Sequence, residues 1–206
     1  MQPSKHIADN ADAGHSSKHS MILEGIITTV DMDGGNHVSP MGPVVDAEMQ
    51  SFVLRPFQTS ITFQNVKRTG QAVFHVTDNV QMLAHAAVGQ LKAPAARRAD
   101  AVDGYILEDA CRWYALQIES LDDSRERAEI VARVVDHGRQ RDFFGLNRAK
   151  HAVVELAILA TRIQFLPADD VLRQCEELRR LANKTGGDDE RKAFAFLEGF
   201  IRRELA

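Results

Sequence analysis

The chain has 206 residues and a mass of 22.9 kDa, which suits one domain, or one domain with a helical appendage. A hydrophobic share of 44% with 26% charged residues excludes wholesale disorder. A formal net charge of -4 excludes a broadly basic nucleic-acid coat and leaves room only for a local basic pocket. The two cysteines, Cys111 and Cys175, build neither a disulfide framework nor a cysteine zinc cluster, so a reducing, cytoplasmic home is expected. No apolar run approaches the roughly 20 residues that a membrane span needs, so no membrane or nucleic-acid partner is expected.

Residues 1–20 read as a polar, frayed tail without the apolar core of a secretory signal. His6, His15 and His19 in it form at most a loose metal site. From 21 to 145 the pattern is mostly β. Ile22 to Val30 is rich in β-branched residues and predicts a strand. Asp31-Met32-Asp33-Gly34-Gly35-Asn36 is hairpin chemistry, because its glycines supply positive φ. His37 to Val45 predicts an interrupted return strand, confined by Pro40 and Pro43 to an edge, a bulge or a strand end. Met49–Leu54 and Gly70–Thr77 predict further strands, and Asp78–Asp100 turns Ala-rich with helical stretches. Ala110–Ser120 and Ala128–Asp136 predict two long strands joined by a charged turn around Asp122-Asp123-Ser124. Residues 146–206 change period. Three helices are expected there: Ala149–Ile163, one opening at Pro167-Ala168-Asp169-Asp170 with acids favoured by its dipole, and one after Gly186-Gly187 that runs to about Glu204.

Three constellations can carry chemistry. Asn36-His37-Val38-Ser39-Pro40-Met41-Gly42 offers small side chains and unpaired backbone N–H groups against which a flat ligand can lie. The competing reading is a plain hairpin with a proline-marked edge. Arg55-Pro56-Phe57-Gln58-Thr59-Ser60-Ile61-Thr62 joins a forked cation to short hydroxyls, the groups that hold a phosphate monoester. Alternatively, those hydroxyls cap a helix starting near Thr62. Arg148, His151, Glu155 and Arg162 form a polar stripe on one helix face. It lines a pocket or subunit boundary, or is simply solvated, and for zinc it lacks a third ligand. His75 reads as a core or interface histidine and Cys111, beside Trp113, as packing, while Arg97-Arg98 reads as a mobile basic loop within reach of an acidic substrate. There is no Gly-x-Gly-x-x-Gly, Walker loop or Gly-x-Ser-x-Gly elbow.

The segments Asn36–Gly42, Arg55–Phe57 with Thr59–Thr62 and Asn65, Val76–Asn79, and Glu155 to Arg162, taken in this order and spacing, resemble the family catalogued as domain of unknown function 447. That family belongs to the flavin-reductase-like, FMN-binding split-barrel superfamily. The resemblance implies an α+β fold. Its parts are an antiparallel split β-barrel over 21–145 and a C-terminal α-helical appendage over 146–206. It further implies a homodimer with FMN near the subunit interface. Carried onto this chain, Arg55, Thr59, Ser60 and Thr62 would hold the FMN phosphate. Asn36, His37, Ser39, Met41 and Gly42 would line the isoalloxazine ring, and Asp78 and Asn79 would reach the ring edge or ribityl chain. Ser39 stands where many relatives carry alanine. The function implied is an FMN-dependent oxidoreductase passing hydride between a reduced nicotinamide, NADH or NADPH, and a small acceptor. A pterin of one-carbon metabolism is one such acceptor, since some members are associated with methanopterin. The alternatives are a flavin carrier or sensor without turnover, and a split barrel holding haem or a deazaflavin. Hydride transfer needs no general acid or base from the protein, and no catalytic side chain is singled out.

Overall fold

Residues 20–206 are described by a computed structural model, so His6, His15 and His19, read as a frayed tail with at most a loose metal site, lie outside the described residues. The β-branched run after them divides into two strands, β1 (Met21–Ile22) and β2 (Gly25–Val30). The division falls where the chain must pass very close to a neighbouring strand. A Cβ on Gly25 would lie 2.4 Å from the His75 carbonyl oxygen and 2.5 Å from the Phe74 ring, so only glycine fits. The expected hairpin follows, with Gly34 at φ 82° and its amide donating to the Asp31 carbonyl. The return strand is β3 (Asn36–Met41), then β4 (Val44–Val45). β5 (Ser51–Leu54), β6 (Gln71–Val76), β9 (Arg112–Asp122) and β10 (Glu129–Arg139) complete one eight-stranded antiparallel sheet in the order β1-β4-β5-β10-β9-β6-β2-β3. The sheet curls into the split barrel that the resemblance implied. β3 is an edge strand, and Pro40, with no N–H to donate, sits in it where the proline rule requires.

The two larger of three hydrophobic clusters among the described residues use the two faces of this sheet, the third being Val73, Val102, Ile106, Trp113 and Ala115. Inside the curl, Ile27, Phe52, Leu54, Phe74, Leu116 and Ile130 pack with Phe63 and Val66 of α1 (Ile61–Thr69). On the outer face, Ile26 packs with α2 (Val80–Ala87), α3 (Arg148–Ala160), α4 (Ala168–Thr185) and α5 (Asp188–Glu204) through Leu83, Leu156, Val171, Leu197 and Ile201. β2 carries side chains to both cores and is buried along its whole length.

The Ala-rich stretch departs from expectation. Only Val80–Ala87 is helical, and Arg97-Arg98 belongs to a short strand, β7 (Ala96–Arg98), paired with β8 (Tyr105–Leu107). Instead of a loop, these arginines belong to a strand and make contacts of their own. Arg98 lies 4.2 Å over the Tyr105 ring and pairs with Asp103 at 2.7 Å, and Arg97 lies 5.7 Å over Trp113.

Candidate functional site

Strand periodicity sorts the first constellation. Consecutive residues of β3 face opposite ways. Thr29, opposite His37, accepts a hydrogen bond from Asn65 of α1, and Met41 packs on the inner core. His37, Ser39 and Met41 therefore face the α1 side. Asn36 and Val38 share the other face, where Val38 packs with the helices. Of the residues expected along the ring, the side chain of Asn36 therefore stands on the opposite face of the strand from those of His37, Ser39 and Met41. Its Oδ1 is buried and has no partner among the described residues. Burial holds the His37 imidazole below its ordinary pKa, against the opposing pull of Asp31, so it is neutral at pH 7. Gly42 is packed under Glu24: a Cβ there would lie 2.8 Å from Glu24 Oε1. Burial, then the nearby Glu155 carboxylate, push the Glu24 carboxyl up, while Arg162 pulls it down. Glu155 of α3 and Arg162, just past its end, are thus within electrostatic reach of Glu24 beside Gly42.

The second constellation forms the tip of α1. Ser60 is the N-cap: its Oγ accepts from the Phe63 amide at 3.1 Å and donates to the Phe57 carbonyl at 2.7 Å. The capping alternative is thus realised for Ser60. The backbone amides of Ile61 and Thr62 find no acceptor among the described residues, and no acid occupies the first turn. A helix end of this kind carries partial positive charge and open donors. Thr59 is exposed at the tip and Arg55 reaches the surface beside it. Thr62 is only 2% exposed, so it offers its backbone amide to the tip and its hydroxyl stays inside. Arg55 pairs with Glu129 at 3.0 Å, both side chains more than half exposed. Such a pair is worth about 1 kcal/mol at most and is readily exchanged for a stronger anion.

One cation was missed by sequence reasoning. Arg127 lies 3.9 Å over the Phe57 ring and donates to the Arg55 carbonyl. Gln58 fastens its loop to the α1 tip through the Asp123 and Arg125 carbonyls, each at 2.6 Å. The signal available was the charged turn between the two long strands. That it folds onto α1 follows from pairing of β10 with β5, which periodicity does not reveal.

Asp78 and Asn79 are drawn into a different structure. Asn79 caps α2, its Oδ1 accepting from the Met82 amide, and its Nδ2 donates to Asp109. Asp78, 7% exposed, pairs with Arg141 at 2.7 Å and accepts from the Phe144 amide at 2.7 Å. Lys150 of α3 donates to the Asp78 carbonyl and pairs with Glu190 of α5 at 2.8 Å. Burial pushes the Asp78 carboxyl up, but Arg141, the Phe144 amide and Lys150 together outweigh it and hold the acid below the usual carboxylate range. These groups line a cavity of about 520 Å³ between barrel and helices. Its charged walls are largely paired with one another.

His75 is wholly buried. The Leu107 amide donates to its Nε2 at 3.1 Å, which leaves Nδ1–H to donate to the Ile26 carbonyl at 3.2 Å. Burial lowers its pKa to about 3. Burial also raises both cysteine thiols, so neither Cys111 nor Cys175 is primed as a nucleophile. No helix among the described residues is long and apolar enough to cross a membrane.

The family model described as "Protein of unknown function (DUF447) N-terminal domain" matches residues 23–141, and "Protein of unknown function (DUF447)" matches residues 147–199. No curated protein matches the chain. Among solved structures, an FMN-bound protein of Methanosarcina mazei in the same family is 22% identical with a TM-score of 0.77, covering 87% of this chain and 94% of that one. A flavin reductase domain protein of Arthrobacter sp. FB24 is 19% identical with a TM-score of 0.50, over 61% of this chain and 81% of that one. The 2-nitrobenzoate 2-nitroreductase of Pseudomonas fluorescens is 14% identical with a TM-score of 0.50, over 57% of this chain and 64% of that one. At these identities the likeness is one of fold, the flavin-reductase split barrel.

Proposed function

The chain belongs to the DUF447 family, and from that premise we propose that it is an FMN-binding oxidoreductase of the cytoplasm, working as a homodimer. The observation that carries this reading is the tip of α1, whose open Ile61 and Thr62 amides and Arg55, Thr59 and Arg127 gather without an acid in the first turn. A phosphate monoester carries up to two negative charges at neutral pH, and such a tip fits it. Arg55 and Arg127 supply charge, Thr59 a hydroxyl, and Ile61 and Thr62 backbone donors. Ser60 positions these groups by capping the helix. His37, Ser39 and Met41 on one face of β3, with Gly42 beyond, are the residues we assign to the ring. Neutral His37 there adds no charge. Bound FMN supplies hydride chemistry, from NADH or NADPH to a small acceptor; a pterin is one acceptor consistent with the family. The chain's task is to orient the group and exclude water.

The test is the absorption spectrum of the freshly purified protein before and after anaerobic NADH or NADPH. A flavin spectrum that bleaches supports the whole reading. A flavin spectrum that persists restricts it to binding, and a colourless protein that takes up no added FMN overturns it. Arg55→Ala is expected to weaken FMN binding by about 10- to 100-fold, the scale of a charge-assisted hydrogen bond, read by flavin fluorescence titration. Unchanged affinity would remove Arg55 from the phosphate site.

A further inference from the structure

The inner row of β9 runs Leu116, Tyr114, Arg112, and only the first two belong to the barrel core. Arg112 thus ends an inward-facing row at the open end of the barrel. Directly opposite it on β10 stands Arg139. Like charges facing each other across an antiparallel pair are unfavourable unless something lies between them. Arg139 finds Asp142, and Arg141 nearby finds Asp78 and Asp109. Arg112 makes no ion pair or side-chain hydrogen bond among the described residues.

A cavity of about 240 Å³ opens at this point, lined by all three arginines, by Tyr114 and by Phe143. Tyr114 is 7% exposed as a residue, and its hydroxyl, bonded to no described residue, is accessible from this cavity. Here the hydroxyl, an unmatched guanidinium and its cross-strand neighbour share one cavity on a chain whose net charge is -4.

We propose that this barrel mouth binds the oxyanion group, carboxylate or phosphate, of a small organic molecule. Arg112 and Arg139 bracket the oxyanion, the Tyr114 hydroxyl donates to it, and Phe143 with Val76 covers the organic part. The mouth lies towards the Met41 end of β3, since Leu23, which lines it, donates its amide to Pro43. That the anion is the substrate of the proposed oxidoreductase rests on the flavin reading; the binding site itself does not.

The experiment titrates the purified protein with benzoate and, separately, with inorganic phosphate by calorimetry. At least one probe is expected to bind. Arg112→Ala should then weaken it by about tenfold or more and Tyr114→Phe several-fold, while Arg173→Ala, an exposed cation on α4, leaves it unchanged. Binding of benzoate alone assigns a carboxylate, and of phosphate alone a phosphate. A colourless protein with Arg112-sensitive binding would sink the flavin reading and keep this one. The proposal is overturned if neither probe binds at millimolar concentration. It is equally overturned if binding ignores Arg112→Ala, or if Arg112→Ala releases flavin while probe binding persists.

Discussion

Asp78→Ala is expected to lower folding stability by about 3 kcal/mol, the lower end of the cost of breaking a buried ion pair from one side. For a chain of this size that is a fall in Tm of about 6–12 °C. The loss comes from three places at once. Arg141 loses its shorter carboxylate contact, the Phe144 amide loses its acceptor, and Lys150 loses a nearby negative charge. The lower end applies because Arg141 retains Asp109 and is itself partly exposed. Asp109→Ala, which removes a more exposed carboxylate, should cost under about 1 kcal/mol. Equal costs for the two variants would show that the Asp78 network does not fasten the helices to the barrel. The pH dependence has a definite sign. Asp78 and Glu190 both sit below the usual carboxylate range: burial raises each, but Arg141 and Lys150 respectively, with backbone amides, outweigh it. Their contribution is complete above an unfolded pKa of about 4 and is lost as pH falls through the lower folded values.

The second large effect belongs to His75 and occupies a different pH window. An unfolded histidine takes a proton near pH 6.5, whereas folded His75 resists it until about pH 3. Above pH 6.5 both states are neutral and no dependence arises. Below it the unfolded state binds the extra proton, so stability falls by about 1.4 kcal/mol per pH unit until the folded pKa is reached. His37, lowered by its own burial, adds in the same direction. Replacing His75 by Gln keeps an acceptor for the Leu107 amide and removes the titration. His75→Gln should therefore be less stable at pH 7, by about 1–3 kcal/mol for an imperfect buried hydrogen bond. Its stability should fall less steeply between pH 6 and pH 4.5, before the carboxylates titrate. Urea denaturation at a series of pH values checks both. Parallel profiles for the two proteins would mean that His75 titrates alike in the folded and unfolded protein.

Much of the fold was legible because it is local. The Gly34-Gly35 turn, the long strands around the Asp122–Ser124 turn and the three C-terminal helices announce themselves through turn chemistry and period. Short strands did not. β7 and β8 are three residues each and exist through cross-strand contacts and the cation–π pairs of Arg97 and Arg98. The break between β1 and β2 was hidden because the β-branched pattern runs straight through it, and only the nearness of Phe74 and His75 makes Gly25 a boundary. For the candidate site, residue type was readable and direction was not. Asn36 shares a segment with His37 but, one residue earlier in a strand, it faces the other way. Ser60 looked like a ligand group and is also a helix cap, because the same hydroxyl chemistry serves both. Arg127 and Arg112 owe their interest to strand register, which no single stretch of sequence encodes.

Register has a last consequence at β2. Ile26 belongs to the helical core and Ile27 to the barrel core, and no residue of the strand reaches solvent. A shift of one position would exchange the two isoleucines and corrupt both cores together. Evolution therefore has little freedom in these six residues. Substitutions that repair one face burden the other, and drift in the helices and drift in the barrel must both remain compatible with the same short strand.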